Sequence, residues 1–291
     1  MNDNVTTIGV IGAGTMGAGI AQVAIVGGFR VLLHDTVEAA LARGRSRISQ
    51  GVNRAVERGH LQEEAAEEAL GRLAAITRLQ EMGEARFIIE AAPEDLTLKQ
   101  RLFAELDGIA DPGAVLATNT SSLSITAIAG ATTRPMRVVG MHFFNPVPAM
   151  TLVEVVAGQR TDPGAVDETM ALARRLGKTP VRAKDTPGFV VNRVARPFYL
   201  EAMRILGEGR LAHDQIDGIM KGAGRFRMGP FELMDLIGID VNFAVSRSVY
   251  EAFFQEPRFR PHPIQQRMVE SGLLGRKTGR GFYEYPNTPK G

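Results

Sequence analysis

The chain has 291 residues, 44% of them apolar and 23% charged, with a formal net charge of +2. That composition is globular rather than disordered, and so small a basic excess argues against a nucleic-acid partner while suiting anionic small molecules. There is no cysteine, which excludes disulfides, thiolate metal sites and cysteine nucleophiles; no apolar run approaches a membrane span, and no basic-then-apolar leader opens the chain, so no membrane association and a cytoplasmic location are expected.

Thr7–Ile11 (TIGVI) is a short β-branched apolar run that meets Gly12-Ala13-Gly14-Thr15-Met16-Gly17 at once. Residues 18–26 continue as an apolar helix, and Arg30–His34 is a second strand closing on Asp35. Strand, G-x-G-x-x-G, helix, strand, acid is the nucleotide-binding half of a Rossmann fold. Gly12 allows the tight turn, Gly14 lets backbone N–H groups approach a pyrophosphate, and Gly17 lets the helix pack close with its positive N-terminus toward the phosphates. A carboxylate at Asp35 hydrogen-bonds ribose hydroxyls and repels a 2′-phosphate, so NAD is expected rather than NADP.

Residues 37–59 predict a long helix on which Arg43, Arg47, Arg54 and Arg58 share a narrow arc. That arc is either a solvated basic face or an anion contact for a phosphorylated substrate. Residues 63–75 predict a second helix, and 85–91 a buried strand. Pro93-Glu94-Asp95 opens a further helix, with Lys99 placed one turn after Asp95 to pair with it. Val115–Thr118 is a strand ending in Asn119-Thr120-Ser121-Ser122. Carboxyl ends of strands are where ligands bind in such sheets, although Ser121 and Ser122 can equally cap the next helix.

Residues 137–142 and 152–156 predict strands separated by turn chemistry. A strand, a turn and a returning strand bring His142 and Glu154 side by side. A carboxylate on one imidazole nitrogen fixes the tautomer and raises the basicity of the other, which makes a general base. A helix at 163–177 and a strand at 179–182 complete the alternation. The pattern changes after Lys184, and helices follow at 189–207, 213–221, Pro230–Ile237, 241–254 and 263–271. Pro197 should kink the first of these. Asn192, in its apolar arc, is either a hydrogen bond to a neighbouring helix or a substrate contact. The expected architecture is therefore an α/β Rossmann domain over 1–184, doubly wound with a mostly parallel sheet, followed by an all-α C-terminal domain over 185–291. The broad apolar faces of the latter favour a homodimer. No metal-ligand motif is present, so no metal is expected.

GVIGAGTMGAGIA, TNTSSLSI, GMHFFNPVPAMTLVEVV, DTPGFVVNR, MGPFELMDLIGID and GRKTGRGFYEY, in this order, give the chain a resemblance to the 3-hydroxyacyl-CoA dehydrogenase family, including its bacterial 3-hydroxybutyryl-CoA dehydrogenases. The resemblance covers essentially the whole chain. It implies NAD-linked, reversible oxidation of (S)-3-hydroxyacyl-CoA to 3-oxoacyl-CoA, with His142 as general base and Glu154 as its orienting carboxylate. It also implies that Ser121 and Asn192 contact the substrate hydroxyl and thioester. Asp35, Glu94, Lys99 and Asn119 match NAD-contacting positions. Arg54 and Arg58 stand where several relatives carry the lysines that meet CoA. Two other readings are a non-CoA 3-hydroxy-acid or sugar-acid dehydrogenase, whose relatives lack the HFFNPVP and GRKTGRGF patterns, and a non-catalytic NAD-binding protein, which need not keep Ser121, His142, Glu154 and Asn192 together.

Overall fold

The glycine-rich turn leaves the first strand of an eight-stranded sheet in the computed structural model, which describes residues 7–286. Residues 1–6, on which the absence of a leader was read, lie outside that range. The chain forms two compact units that part between Thr186 and Pro187. That division lies two residues beyond the boundary expected from the change of pattern, so Asp185 belongs to the first unit. Its carboxylate accepts from Ser124 Oγ, Ile125 N–H and Thr126 N–H.

In the first unit the order is β1 (Thr7–Ile11), α1 (Thr15–Val26), β2 (Arg30–His34), α2 (Glu38–Glu57), α3 (Glu63–Gly71), β3 (Leu73–Ile76), β4 (Phe87–Glu90) and α4 (Leu96–Ile109). Then come β5 (Val115–Thr118), α5 (Ile125–Ala129), β6 (Val138–Phe143), β7 (Leu152–Ala157), α6 (Pro163–Arg175) and β8 (Thr179–Lys184). The strands lie in the order β3-β2-β1-β4-β5-β6-β7-β8. All neighbours are parallel except β6 and β7. The order reverses between β1 and β4, which is the switch point where such sheets hold ligands. β1, β4, β5 and β6 are buried along their whole length, as strands covered on both faces must be.

β3 corrects the sequence reading, which carried a helix through to Ala75. Leu73–Ile76 pairs in parallel with β2, from Val31↔Leu73 to His34↔Ile76. Leucine and alanine favour helix, so this edge strand carries no local β signal, and pairing with β2 overrides the propensity.

α1 lies close to the sheet because its inner face is small. A Cβ on Gly17 would stand 1.8 Å from the Gly12 carbonyl oxygen. α2 crosses near the glycine-rich turn by the same means, since a Cβ on Gly44 would meet Ala13 Cβ at 2.8 Å. Phe29, Phe87 and Phe103 fill the core and are at most 1% exposed; truncating any one to alanine costs about 3–5 kcal/mol.

The second unit is helical: α7 (Val191–Gly207), α8 (His213–Gly222), α9 (Pro230–Ile237), α10 (Ile239–Ala252) and α11 (Pro263–Glu270). Tyr199, Leu200, Met203, Phe231, Met234 and Ile239 make its core. Two buried carboxylates organise it. Asp217 caps α9 through the Phe231 and Glu232 N–H groups and accepts from Tyr283 Oη at 2.8 Å. Asp235 accepts from Phe282 N–H, Tyr283 N–H and Tyr285 Oη. The GRKTGRGFYEY motif is thus tied down by the helices before it. Gly281 belongs to that clasp, because a Cβ there would lie 2.1 Å from Asp235 Oδ1.

Candidate active site

At the switch point, Gly12 takes φ +93°, and a Cβ on it would stand 2.6 Å from the Ala91 carbonyl oxygen, so turn geometry alone requires glycine. Gly14 differs: a Cβ there would meet nothing within 4 Å. Among the described residues nothing fills the space beside Gly14, the N-cap of α1, which leaves its backbone open to an approaching phosphate. α1 begins at Thr15 with no side-chain cap and no acid in its first turn, so its positive end is uncompensated. Asp35 accepts from Ala13 N–H at 2.8 Å on one oxygen and Val37 N–H at 2.9 Å on the other. Those bonds fix the carboxylate and leave roughly half of its four or so lone-pair sites for ribose hydroxyls. Turn, helix end and acid together fit a dinucleotide.

The carboxyl ends of β4 and β5 form a second cluster. Glu90 is fully buried and accepts from Thr118 Oγ1 and Ala92 N–H, each at 2.6 Å. Lys99, 1% exposed, gives its ammonium to Glu90 and to the Ala92 carbonyl. The expected one-turn pair with Asp95 does not form, because Asp95 caps α4 by accepting from Leu98 N–H. Glu94 lies 3.6 Å from Lys99 and accepts from the N–H groups of Ser121 and Ser122. That holds the turn after β5. Neither serine caps α5; Ser124 does, accepting from Ala127 N–H, with Asp185 beside it. Asn119 Oδ1 accepts from Phe143 N–H at 2.9 Å and so fastens the end of β6 to the end of β5.

On β6, His142 stands directly opposite Glu154 of β7 in the antiparallel ladder. Their side chains meet at 2.8 Å, Nδ1 to Oε2, and are 6% and 1% exposed. With Nδ1–H directed at the carboxylate, Nε2 carries the ring's lone pair. Phe144 packs on the imidazole, centroids 4.5 Å apart. The connection between the two strands is pinned by the buried Lys178, whose ammonium donates to the carbonyls of Val147 and Met150. Burial alone pushes that ammonium's pKa down.

The arginine arc of α2 divides. Arg47, Arg54 and Arg58, with His60, line a pocket of about 670 Å³ between α1, α2 and the 145–149 connection. Arg43 is outside it. None of these three arginines has a carboxylate within 4.0 Å among the described residues, so the pocket is cationic. Asn192 lies in the first turn of α7 and is half-buried. Sequence reasoning missed His60, which follows the helix, and Glu90, the true partner of Lys99. A lysine on the apolar side of a helix behind a strand ending in glutamate was the available signal for the latter. Among the described residues no cluster of three potential metal ligands occurs.

Residues 7–186 match the family model described as 3-hydroxyacyl-CoA dehydrogenase, NAD binding domain, and residues 188–285 match 3-hydroxyacyl-CoA dehydrogenase, C-terminal domain. The chain is 50% identical over 282 residues to the 3-hydroxyadipyl-CoA dehydrogenase of Escherichia coli K12, covering 97% of this chain and 59% of that protein. It is 42% identical over 287 residues to a 3-hydroxybutyryl-CoA dehydrogenase of Mycobacterium tuberculosis, covering 98% of this chain and 100% of that one. The crystal structure of a 3-hydroxybutyryl-CoA dehydrogenase from E. coli K12 superposes with a TM-score of 0.95 at 50% identity, over 99% of this chain and 61% of that one. The chain thus spans about three-fifths of the length of the E. coli relatives and the full length of the mycobacterial one. It belongs to the 3-hydroxyacyl-CoA dehydrogenase family of NAD-dependent oxidoreductases.

Proposed function

We propose that this chain oxidises (S)-3-hydroxyacyl-CoA to 3-oxoacyl-CoA with NAD, reversibly, using His142 as general base. The observation that carries the roles is the 2.8 Å bond between His142 Nδ1 and Glu154 Oε2, at the carboxyl edge of the sheet that bears the glycine-rich turn. NAD, when bound, supplies the hydride acceptor for the hydrogen on C3. His142 Nε2 takes the proton of the C3 hydroxyl as the carbon–oxygen bond becomes double, help of the kind worth about 10²–10⁴-fold. Glu154 stabilises the imidazolium that results and holds the ring in place. In the reverse direction the imidazolium returns its proton to the alcohol oxygen. Ser121 and Asn192 orient the substrate oxygens, a positioning effect. Arg54 and Arg58, in the cationic pocket, take the phosphates of CoA.

The substrates named for the relatives differ at one end. A butyryl chain ends in a methyl group and an adipyl chain in a carboxylate, so a carboxylate receptor is what separates them. The proposed setting is the cytoplasm and fatty acyl-CoA metabolism. We also propose a homodimer through the helical unit, where Val194 is 69%, Leu236 49% and Val241 47% exposed. A concentration-independent monomer mass in light scattering refutes it.

The reaction is tested by NADH consumption with acetoacetyl-CoA, beside His142→Ala. Rapid turnover that falls at least 100-fold in the variant, about the lower bound for general-base loss, is the expected result. Turnover unchanged in His142→Ala removes the histidine from the mechanism.

A further inference from the structure

The helical unit holds a cation that this chemistry does not use. Arg196 lies on α7, one turn past Asn192, and is 3% exposed. Its Nε donates to the Asn192 carbonyl at 3.1 Å. Its Nη1 donates to the Asn242 carbonyl at 2.9 Å and to Ser246 Oγ at 3.0 Å. The Tyr199 ring sits 5.0 Å from the guanidinium carbon. Every one of these partners is neutral. Burial pushes the guanidinium down to about 10, which leaves it a cation at neutral pH, and no acid acts on it.

The hydrogen bonding is also incomplete. Nη2 takes no part in the bonds that the guanidinium makes among the described residues. In the same cluster Asn242 Nδ2, a buried donor, has no acceptor there. Gln265 Nε2 donates to Asn242 Oδ1 at 2.7 Å, while Gln265 Oε1 is an acceptor without a donor. A buried permanent charge met only by dipoles is costly to the fold, and so is each buried donor left unpaired. An anion brought by the substrate supplies both the missing charge and the missing acceptors.

The geometry points to Arg196 as the receptor for a carboxylate at the far end of the acyl group, which makes the substrate class of this chain a 3-hydroxyacyl-CoA ending in an acid. The inference rests on the reading of Asn192 as a substrate contact. Residues four apart on a helix share a face, with Cβ atoms about 5–6 Å apart. In a six-carbon diacid the terminal carboxyl carbon is three carbon–carbon bonds from C3, roughly 4 Å when extended. Hydrogen bonds of about 2.9 Å at either end complete the span. A four-carbon chain ending in methyl leaves Arg196 uncompensated.

The test compares 3-oxoadipyl-CoA with acetoacetyl-CoA, each with NADH, for the wild type, Arg196→Met and Arg196→Lys. The expected wild type prefers the acid-ended substrate in kcat/KM. Arg196→Met loses that preference by about 10–100-fold, the discrimination set by one charged hydrogen bond. It leaves acetoacetyl-CoA within about threefold, and Arg196→Lys recovers part of the preference. A wild type that reduces acetoacetyl-CoA but not the diacid overturns the inference and leaves the reaction standing. Equal losses on both substrates in Arg196→Met overturn it too, since they mark a structural residue. No turnover of either substrate defeats the proposed reaction itself. The wild-type comparison decides even if neither variant folds.

Discussion

Lys99 and Arg196 are both cations buried almost completely, 1% and 3% exposed, and they keep opposite company. Lys99, behind the sheet, meets the carboxylate of Glu90, itself fully buried and held by Thr118 and Ala92. Arg196, among the helices, meets carbonyls, a hydroxyl and a ring. The Lys99–Glu90 pair closes its own charge balance and orders the strand ends before any ligand arrives. The helical unit leaves its balance open. In the proposed mechanism His142 stands between the two cases, since the proton that it takes from the substrate makes it a cation beside Glu154. What separates Lys99 from Arg196 is where the counter-charge comes from.

The sharpest way to break the comparison is Lys99→Met, which strands Glu90 as an unpaired buried carboxylate. A loss of about 3–5 kcal/mol in urea unfolding is expected, and most of it should return in the Lys99→Met, Glu90→Gln double variant. A single-variant loss below about 1 kcal/mol means the pair is not a closed one. Next is Glu154→Gln, which removes the charge that awaits the imidazolium. Its kcat should fall about 10²–10³-fold while melting temperature and KM hold, smaller than the loss for the corresponding aspartate of a serine-protease triad. An unchanged kcat shows that orientation alone suffices. The pocket arginines come third. Arg54→Ala with Arg58→Ala should raise KM for the CoA substrate about tenfold, as expected for lost charge-assisted bonds, and should spare a substrate lacking the 3′-phosphate. An equal effect on both substrates places the phosphate elsewhere. The smallest effect is Arg196→Met, whose unfolding free energy should stay within about 1 kcal/mol of wild type or rise, because replacing a buried ion by an apolar group is often neutral or better. A loss of several kcal/mol makes Arg196 a structural hub and erases the contrast.

The parts of the molecule legible in the sequence are those whose requirements are local. Gly12 and Gly17 are needed by atoms within a few residues or by the adjoining strand, and Asp35 closes the strand that follows the helix. His142 and Glu154 could be placed together because two strands joined by a turn have few ways to pair. β3 was not legible, because LAAI reads as the end of a helix and becomes a strand only against β2. The partner of Lys99 was misplaced for a related reason: the one-turn rule favours Asp95, but a cap has prior use for that side chain. Arg196 gave no signal at all. On a helical wheel it is one more arginine, and the residues that bury it, Asn242 and Ser246, come 46 and 50 positions later.

The ladder around His142 has a consequence for how such a protein can change. β6 is held in register by β5 on one side, β7 by β8 on the other, and the two are paired from Val139↔Ala157 to Phe143↔Val153. Strand residues alternate faces, so any slip by one would turn Glu154 away from the imidazole. The flanking strands forbid that slip, whatever the connection at 144–151 contains. That connection also supplies one wall of the cationic pocket. Pocket wall and proposed proton-transfer pair are therefore held by different means: Lys178 pins the loop from outside the ladder, while the ladder keeps Glu154 on the imidazole.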